Sequence, residues 1–447
     1  MVYRIIKALW GDLRGEELKK FSLLSLGFFF LIGSYWPLKS IKDSVFLGMV
    51  GSNYQPYAKI ASLIFFFPLV LAYSKLIDHF SKEKMIYMMI SIYGTIGFIF
   101  VYLLAHPVYG IGNTARSPYR LVGWGFYLFI ESFISLMVSL YWAFINDVTT
   151  PESAKKGYGM IIFGTQLGGV LFTLVGTALS SNTEKFATRI PLIVLACVIM
   201  FFFIGIIIFL LTHFVSKKEF IGYESHKQKD KPLKETSSKV SFLDGFKLLI
   251  SKPYVGGIFG LVFFHETISA LMHYQMLVMI DTTFINNIGA MNKYIFNFHL
   301  IIQAVACLFG LFGTSFFQRK FGIRFCLIAY PLFLGLFIIA YLFSPTLFVI
   351  TGVMIVAKAI NYAFNQPAKE ALYIPTSRAV KYKSKAWIDM FGLRSAKGFG
   401  ASVNKVIGTL AKTSSVVSLG IIVVWTVLAG TIGKMHKKVI TENKLIS

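Results

Sequence analysis

Twelve long apolar runs separated by short polar segments leave this chain few ways to fold. They fall at about 21–38, 57–79, 84–106, 119–147, 156–180, 190–214, 254–282, 293–317, 323–344, 345–370, 385–411 and 417–435. Each is near or above the roughly 20 residues that an α-helix needs to cross the hydrocarbon core. With no water at that depth to satisfy N–H and C=O groups, a lipid-facing segment of this kind must be helical. The sequence therefore predicts an all-α membrane protein with twelve transmembrane helices. Composition agrees, with 56% hydrophobic and only 14% charged residues, where soluble domains average about 25% charged.

A net charge of +24 invites a nucleic-acid partner, but the positions of the basic residues argue for a lipid bilayer instead. Lys82, Lys84, Lys155, Lys156, Arg319, Lys320, Arg324, Arg378, Lys381, Lys383, Lys434, Lys437 and Lys438 fall in alternate loops. A dense central segment, Lys217 to Lys239, joins them on the same side. The opposite loops hold few. Positive-inside bias then places both termini in the cytoplasm. The first span lacks a cleavage site and reads as a spanning helix rather than a signal peptide. Cys197, Cys307 and Cys326 all lie in apolar runs with no CxxC spacing, so they read as core residues and not as a metal or disulfide set.

The polar stretch 216–250 is the one clear break, dividing the chain into two six-helix halves, 1–215 and 251–447. The halves echo each other. WAFINDVTTPESAKKGYGM (142–160) joins spans four and five, and NYAFNQPAKEALYIPTSRAVKYKSKAW (361–387) joins spans ten and eleven. Both pass from an AF-containing helix end through Asn or Gln into a Thr/Pro/Ser turn and a basic run. Two pseudo-symmetric halves of this kind describe a major-facilitator-like transporter with its site near the membrane midplane.

Ionisable residues at membrane depth are few, and each costs roughly 2.5 to 3.5 kcal/mol even on lenient insertion scales. Lys39, Lys42 and Asp43 end the first span, Glu131 lies within the fourth and Asp147 at its end. Glu266 and His273 occur seven residues apart in the seventh, hence on one helix face. Lys369 and Glu370 end the tenth, and Asp389, Arg394 and Lys397 fall in the eleventh. Each has a bland reading beside the functional one. Lys39 can snorkel, Glu131 can be a structural acid, and Asp389, Arg394 and Lys397 can form a helix ion-pair set. The glycines of the fifth and eleventh spans read as packing residues. Lysines in both halves would suit a polyanion, since Lys offers point charges that engage phosphate without the rigid fork of Arg. Phe391 and Tyr362 are candidates for stacking a base.

Four stretches carry a family resemblance: KSIKDSVF (39–46), ESFISLMVSLYWAFINDVTT with AKKGYG (131–159), AKEALYIPTSRAVKYKSKAWIDMFG (368–392) and LRSAKGFGA (393–401). They resemble the nucleotide transporter family that includes the ATP/ADP translocases of plastids and obligate intracellular bacteria. The resemblance implies nucleotide import by alternating access, with ATP/ADP (NTP/NDP) exchange as the expected activity. It implies that Lys42, Glu131, a seventh-span position near His273, and Lys369 are central to transport. Two departures stand out: the Glu131–Trp142 spacing is one residue short of the family's, and His273 falls where the translocases carry Glu, with Glu266 two turns earlier.

No phosphate-binding loop, zinc spacing or nucleophile constellation occurs, and the central segment is too short for an ATPase domain. The expectation is a secondary transporter, not an enzyme, working without cofactor or metal as a monomer in the inner membrane of an intracellular bacterium. Two further readings stay open. One is proton-coupled net import of nucleotides or a related phosphorylated compound, with His273, Glu266 and Glu131 carrying protons; the other is a membrane protein of another class.

Overall fold

The computed structural model describes residues 15–149, 151–180, 183–216, 220, 242–312, 314–361, 365–373, 375–376, 384, 387–442 and 446. These residues are nearly all helical. They comprise α1 (Gly15–Met49), α2 (Gln55–His79), α3 (Lys82–Ala105), α4 (Leu121–Asp147), α5 (Pro151–Leu179) and α6 (Thr183–Phe214). A short α7 (Phe242–Ser251) leads into α8 (Pro253–Thr283), α9 (Ile288–Phe312) and α10 (Thr314–Phe343). The chain continues as α11 (Leu347–Ile360), α12 (Gln366–Leu372), a π-helical turn (Ile388–Gly392), α13 (Leu393–Ile407) and α14 (Ala411–Thr441).

Every one of the twelve expected spans contains helix. Among the described residues, nine helices are long and apolar enough to cross a bilayer. The other three expected spans are shorter or more polar. α11 has 14 residues, α13 has 15 including Arg394, Lys397 and Lys405, and α9 carries Asn292, Asn297, His299 and Gln303.

Helix ends follow local chemistry. Ser81 caps α3 by accepting from the Lys84 N–H, Thr346 caps α11 by accepting from Val349, and Pro253 opens α8 at a position where no N–H is needed. Within α10 the chain breaks at Gly322, with φ 80° and ψ 163°, a conformation that only glycine adopts without strain. The apolar run therefore starts at 323, where hydropathy places it.

Two expectations are revised. The first span was placed at 21–38, yet α1 runs to Met49, so Lys39, Lys42 and Asp43 lie inside a helix rather than at its end. The cause is the apolar VFLGM that follows the charges, and the burial of Lys42 and Asp43 at 4% and 2% exposure. The central polar segment 216–250 is not all linker, because α7 occupies its last part. Residues 221–241 of that segment lie outside the described residues.

The chain forms two compact units. One holds Met1–Gly51, Ile64–Lys234 and Asn286–Gln303; the other holds Ser52–Leu63, Glu235–Ile285 and Ala304–Ser447. In the first unit α1 is the central element, packed on α4, α5 and α6. Small residues set that closeness. A Cβ on Gly164 would stand 2.6 Å from the Ser25 carbonyl oxygen, and one on Gly168 would stand 2.2 Å from that of Phe29. α5 thus meets α1 backbone to backbone, as small residues allow between membrane helices. In the second unit α8 packs on α13, α14 and α11, and α10 on α14 and α11.

Candidate functional site

The first unit gathers its charge on α1 and α4. Tyr127 and Glu131 stand one turn apart on α4 and face Lys42 of α1. The Lys42 ammonium donates to Glu131 Oε1, lies 3.3 Å from Asp43 Oδ1 and sits 4.4 Å from the centre of the Tyr127 ring. Glu131 keeps 31% of its side chain accessible while Lys42 keeps 5%. The amine is thus held by two carboxylates and an aromatic face, which lets a charge persist in a dry setting.

Lys39, one turn earlier, lies 4.7 Å from the Trp36 ring centre and is half-buried. Trp36 in turn meets His299 edge-on, and His299 Nδ1 is 2.7 Å from Ser40 Oγ. Asp147 stands exposed at the C-terminal end of α4.

The second unit builds its charged centre on α8. Glu266 lies 3.7 Å from Lys397 of α13 and 3.7 Å from the ring of its neighbour His265. Lys358 of α11 and Lys369 of α12 also act on it electrostatically. Glu266 is thus paired with Lys397, and its side chain is only 15% accessible. Lys358 donates to Ser269 at 3.3 Å, so Glu266, Ser269 and His273 share the α8 face that the lysine approaches. His273 is half-buried on that face, two turns from Glu266, and Arg394 is half-buried on α13.

Packing at a glycine makes the Lys397 contact reachable. A Cβ on Gly400 would stand 2.9 Å from the Thr267 carbonyl oxygen and 2.9 Å from the Ala270 Cβ. Beside it, Thr267 donates to the Ala396 carbonyl and Asn404 to that of Ala270, each at 3.3 Å. α13 is thereby fixed against α8 with Lys397 one turn from the close approach.

Within each unit, then, the structure brings together Lys42, Asp43 and Glu131, and Lys397 and Glu266. Glu370 and Asp389 belong to α12 and the π-helical turn, and their side chains fall outside the described residues, as does Tyr362. Sequence reading missed Tyr127, Lys358 and His265. Lys358 could have been found as a lone charge in the apolar run VMIVAKAINYAF. Tyr127 gave no signal among so many aromatics.

A bundle of long apolar helices defines a multi-pass membrane protein, and solved structures share its fold. The chain is similar to a bacterial homologue of the iron transporter ferroportin in an inward-facing state, at TM-score 0.64 and 12% identity over 93% of this chain and 99% of that one. It is also similar to a D-xylose-proton symporter, at TM-score 0.62 and 12% identity over 94% and 97%. The fold is major-facilitator-like, and the protein is a multi-pass membrane protein.

The family model described as TLC ATP/ADP transporter matches residues 2–115 and 121–437, and this chain belongs to that family. Its relatives include ADP,ATP carrier protein 5 of Rickettsia bellii (strain RML369-C), 24% identical over 92% of this chain and 91% of the relative. ADP,ATP carrier protein 1 of Chlamydia pneumoniae is 24% identical over 96% and 93%.

Proposed function

We propose that this transporter carries adenine nucleotides by alternating access and exchanges ATP for ADP across the inner membrane of an intracellular bacterium. The reading is supported by the family's description, by the names of its relatives, and above all by the lysines that meet α8. Lys397 stands 3.7 Å from Glu266, and Lys358 donates to Ser269 about one turn along the same helix. Lysines at this depth suit a substrate carrying roughly three to four negative charges, since a terminal phosphate is largely doubly ionised near neutral pH.

Lys42, Asp43 and Glu131 play a different part in this reading. Their two carboxylates outnumber the one amine, so the set holds Lys42 charged and positioned while the site is empty. Nucleotide phosphate competes with Glu131, the more accessible partner, for that amine. Lys39, Arg394, Glu370, Asp389, Asp147 and His273 complete the proposed set, and the working unit is a monomer.

Proteoliposomes test the exchange. Vesicles preloaded with ADP should take up labelled ATP several-fold faster than empty ones. Equal rates with and without internal ADP, together with stimulation by an imposed proton gradient, would favour the second reading, proton-coupled net import. That reading has one observation in its favour: the contact between His265 and Glu266.

A further inference from the structure

We propose that Arg324 of α10 and Lys434 and Lys437 of α14 seat the headgroup of an anionic phospholipid, whose acyl chains lie along the apolar outer faces of those two helices, whatever solute the protein carries. Gly433 is what brings the three cations together. A Cβ there would stand 2.6 Å from Arg324 Cγ and 2.9 Å from Arg324 Cβ, so the missing side chain lets the arginine stem lie against α14. Gly335 of α10 likewise faces Ile422 of α14, where a Cβ would stand 3.4 Å from Ile422 Cγ2. The two contacts run in opposite senses along the chain, so α10 and α14 pack antiparallel. Arg324 therefore lies against the turn of α14 that carries Lys434 and Lys437.

All three residues are exposed. Among the described residues none of them has an ion-pair partner; the acid that follows on α14, Glu442, meets Lys438 at 3.9 Å. Like charges one turn apart on a helix repel. A cluster of this kind is stabilised when an anion comes from outside, and at the end of two membrane-spanning helices that source is the lipid headgroup layer. The chain break at Gly322, with φ 80°, makes Arg324 part of a helix N-terminus, whose dipole also favours an anion. Arginine offers phosphate oxygens a planar fork, and the lysines add point charges.

The apolar faces that lead to the cluster fit acyl chains. On α10, Phe325, Leu332 and Leu336 recur at i, i+7 and i+11, hence on one face, and all are exposed. On α14, Val423 and Val427 are exposed, and Lys434 continues their line two turns beyond Val427. On both helices a hydrocarbon face thus ends in positive charge. A free phosphate would use the charge alone, whereas a two-chain lipid with a phosphodiester headgroup uses the charge and both faces.

Brominated lipids quench tryptophan on contact, so a tryptophan at Val427 reads the lipid beside it. The full chain carrying Val427→Trp is reconstituted into mixed vesicles of phosphatidylglycerol and phosphatidylcholine with matched chains, one or the other brominated. Quenching of the chain's own six tryptophans is subtracted. Phosphatidylglycerol should occupy the place beside residue 427 several-fold beyond its share of the bilayer, with little preference at Ile206→Trp, an exposed position on α6. Substituting Arg324→Gln, Lys434→Gln and Lys437→Gln together should abolish the preference; where that triple variant does not fold, each single Gln variant should reduce it. Occupancy that merely follows bilayer composition, an equal preference at residue 206, or a preference unchanged by the Gln substitutions overturns the site. If inorganic phosphate removes the preference where chloride of the same ionic strength does not, the cluster takes free phosphate and the lipid assignment is overturned.

Discussion

Replacing Lys42 by Met separates the structural role of this residue from its proposed transport role. Met conserves length and apolar bulk, so the lost feature is the charge. Asp43 and Glu131 are then left without the amine they share, one at 1% and the other at 31% side-chain accessibility. Removing one partner of a buried ion pair costs about 3 to 5 kcal/mol, and the access of Glu131 to water places this case near the lower end, at about 3 kcal/mol. Neutralising Asp43 as well should recover much of that loss, because a buried carboxylate no longer needs a counter-charge.

Cys197 and Cys326 are buried, so a thiol-reactive fluorophore reports unfolding of the purified protein in detergent as they become exposed. The expected order of midpoints is wild type, then Lys42→Met/Asp43→Asn, then Lys42→Met, with ATP uptake lost in both variants. A Lys42→Met midpoint equal to wild type, or a double variant less stable than the single, would refute the ion-pair argument. Uptake restored with stability would show that Lys42 serves the fold alone.

Lys369→Ala and Lys358→Ala should each cut ATP uptake severely at unchanged abundance in the membrane, and Lys369→Arg should be only partly tolerated, because a guanidinium fork releases phosphate less readily; wild-type uptake by both Ala variants would remove the lysines from the site. Gly168→Leu places side-chain atoms against the Phe29 carbonyl and should cost at least about 1 to 3 kcal/mol, read as a lower unfolding midpoint or yield; an unchanged midpoint would contradict the close approach of α5 to α1. Gly400→Val should push α13 from α8 and part Lys397 from Glu266, so uptake per molecule should fall further than abundance does. Gly322→Ala, at a backbone angle that alanine resists, should lower stability by about 1 to 3 kcal/mol with little effect on the transport rate of the protein that remains folded; a neutral result would mean the break does not require glycine.

Hydropathy alone located the helices, because a segment in lipid must satisfy its own backbone whatever surrounds it. The nine long apolar helices and the two helical pieces of the tenth span all follow from that local rule. The family, too, was legible, since KSIKDSVF and AKEALYIPTSRAVKYKSKAWIDMFG are contiguous strings. Where a charge would end a span was less legible: Lys42 and Asp43 look like a helix terminus until a partner far along the chain is supplied.

Tertiary structure decided the partners. Lys42 meets Glu131 across 89 positions of sequence, Lys397 meets Glu266 from another helix, and Lys358 reaches α8 through Ser269. Periodicity shows which side chains share a helix face, but not which face of which neighbouring helix stands opposite. His265 makes the point most sharply. In sequence it is one polar residue beside Glu266, and only the position of Tyr330, on another helix, shows that Nδ1 meets a hydroxyl while Nε2 faces the carboxylate.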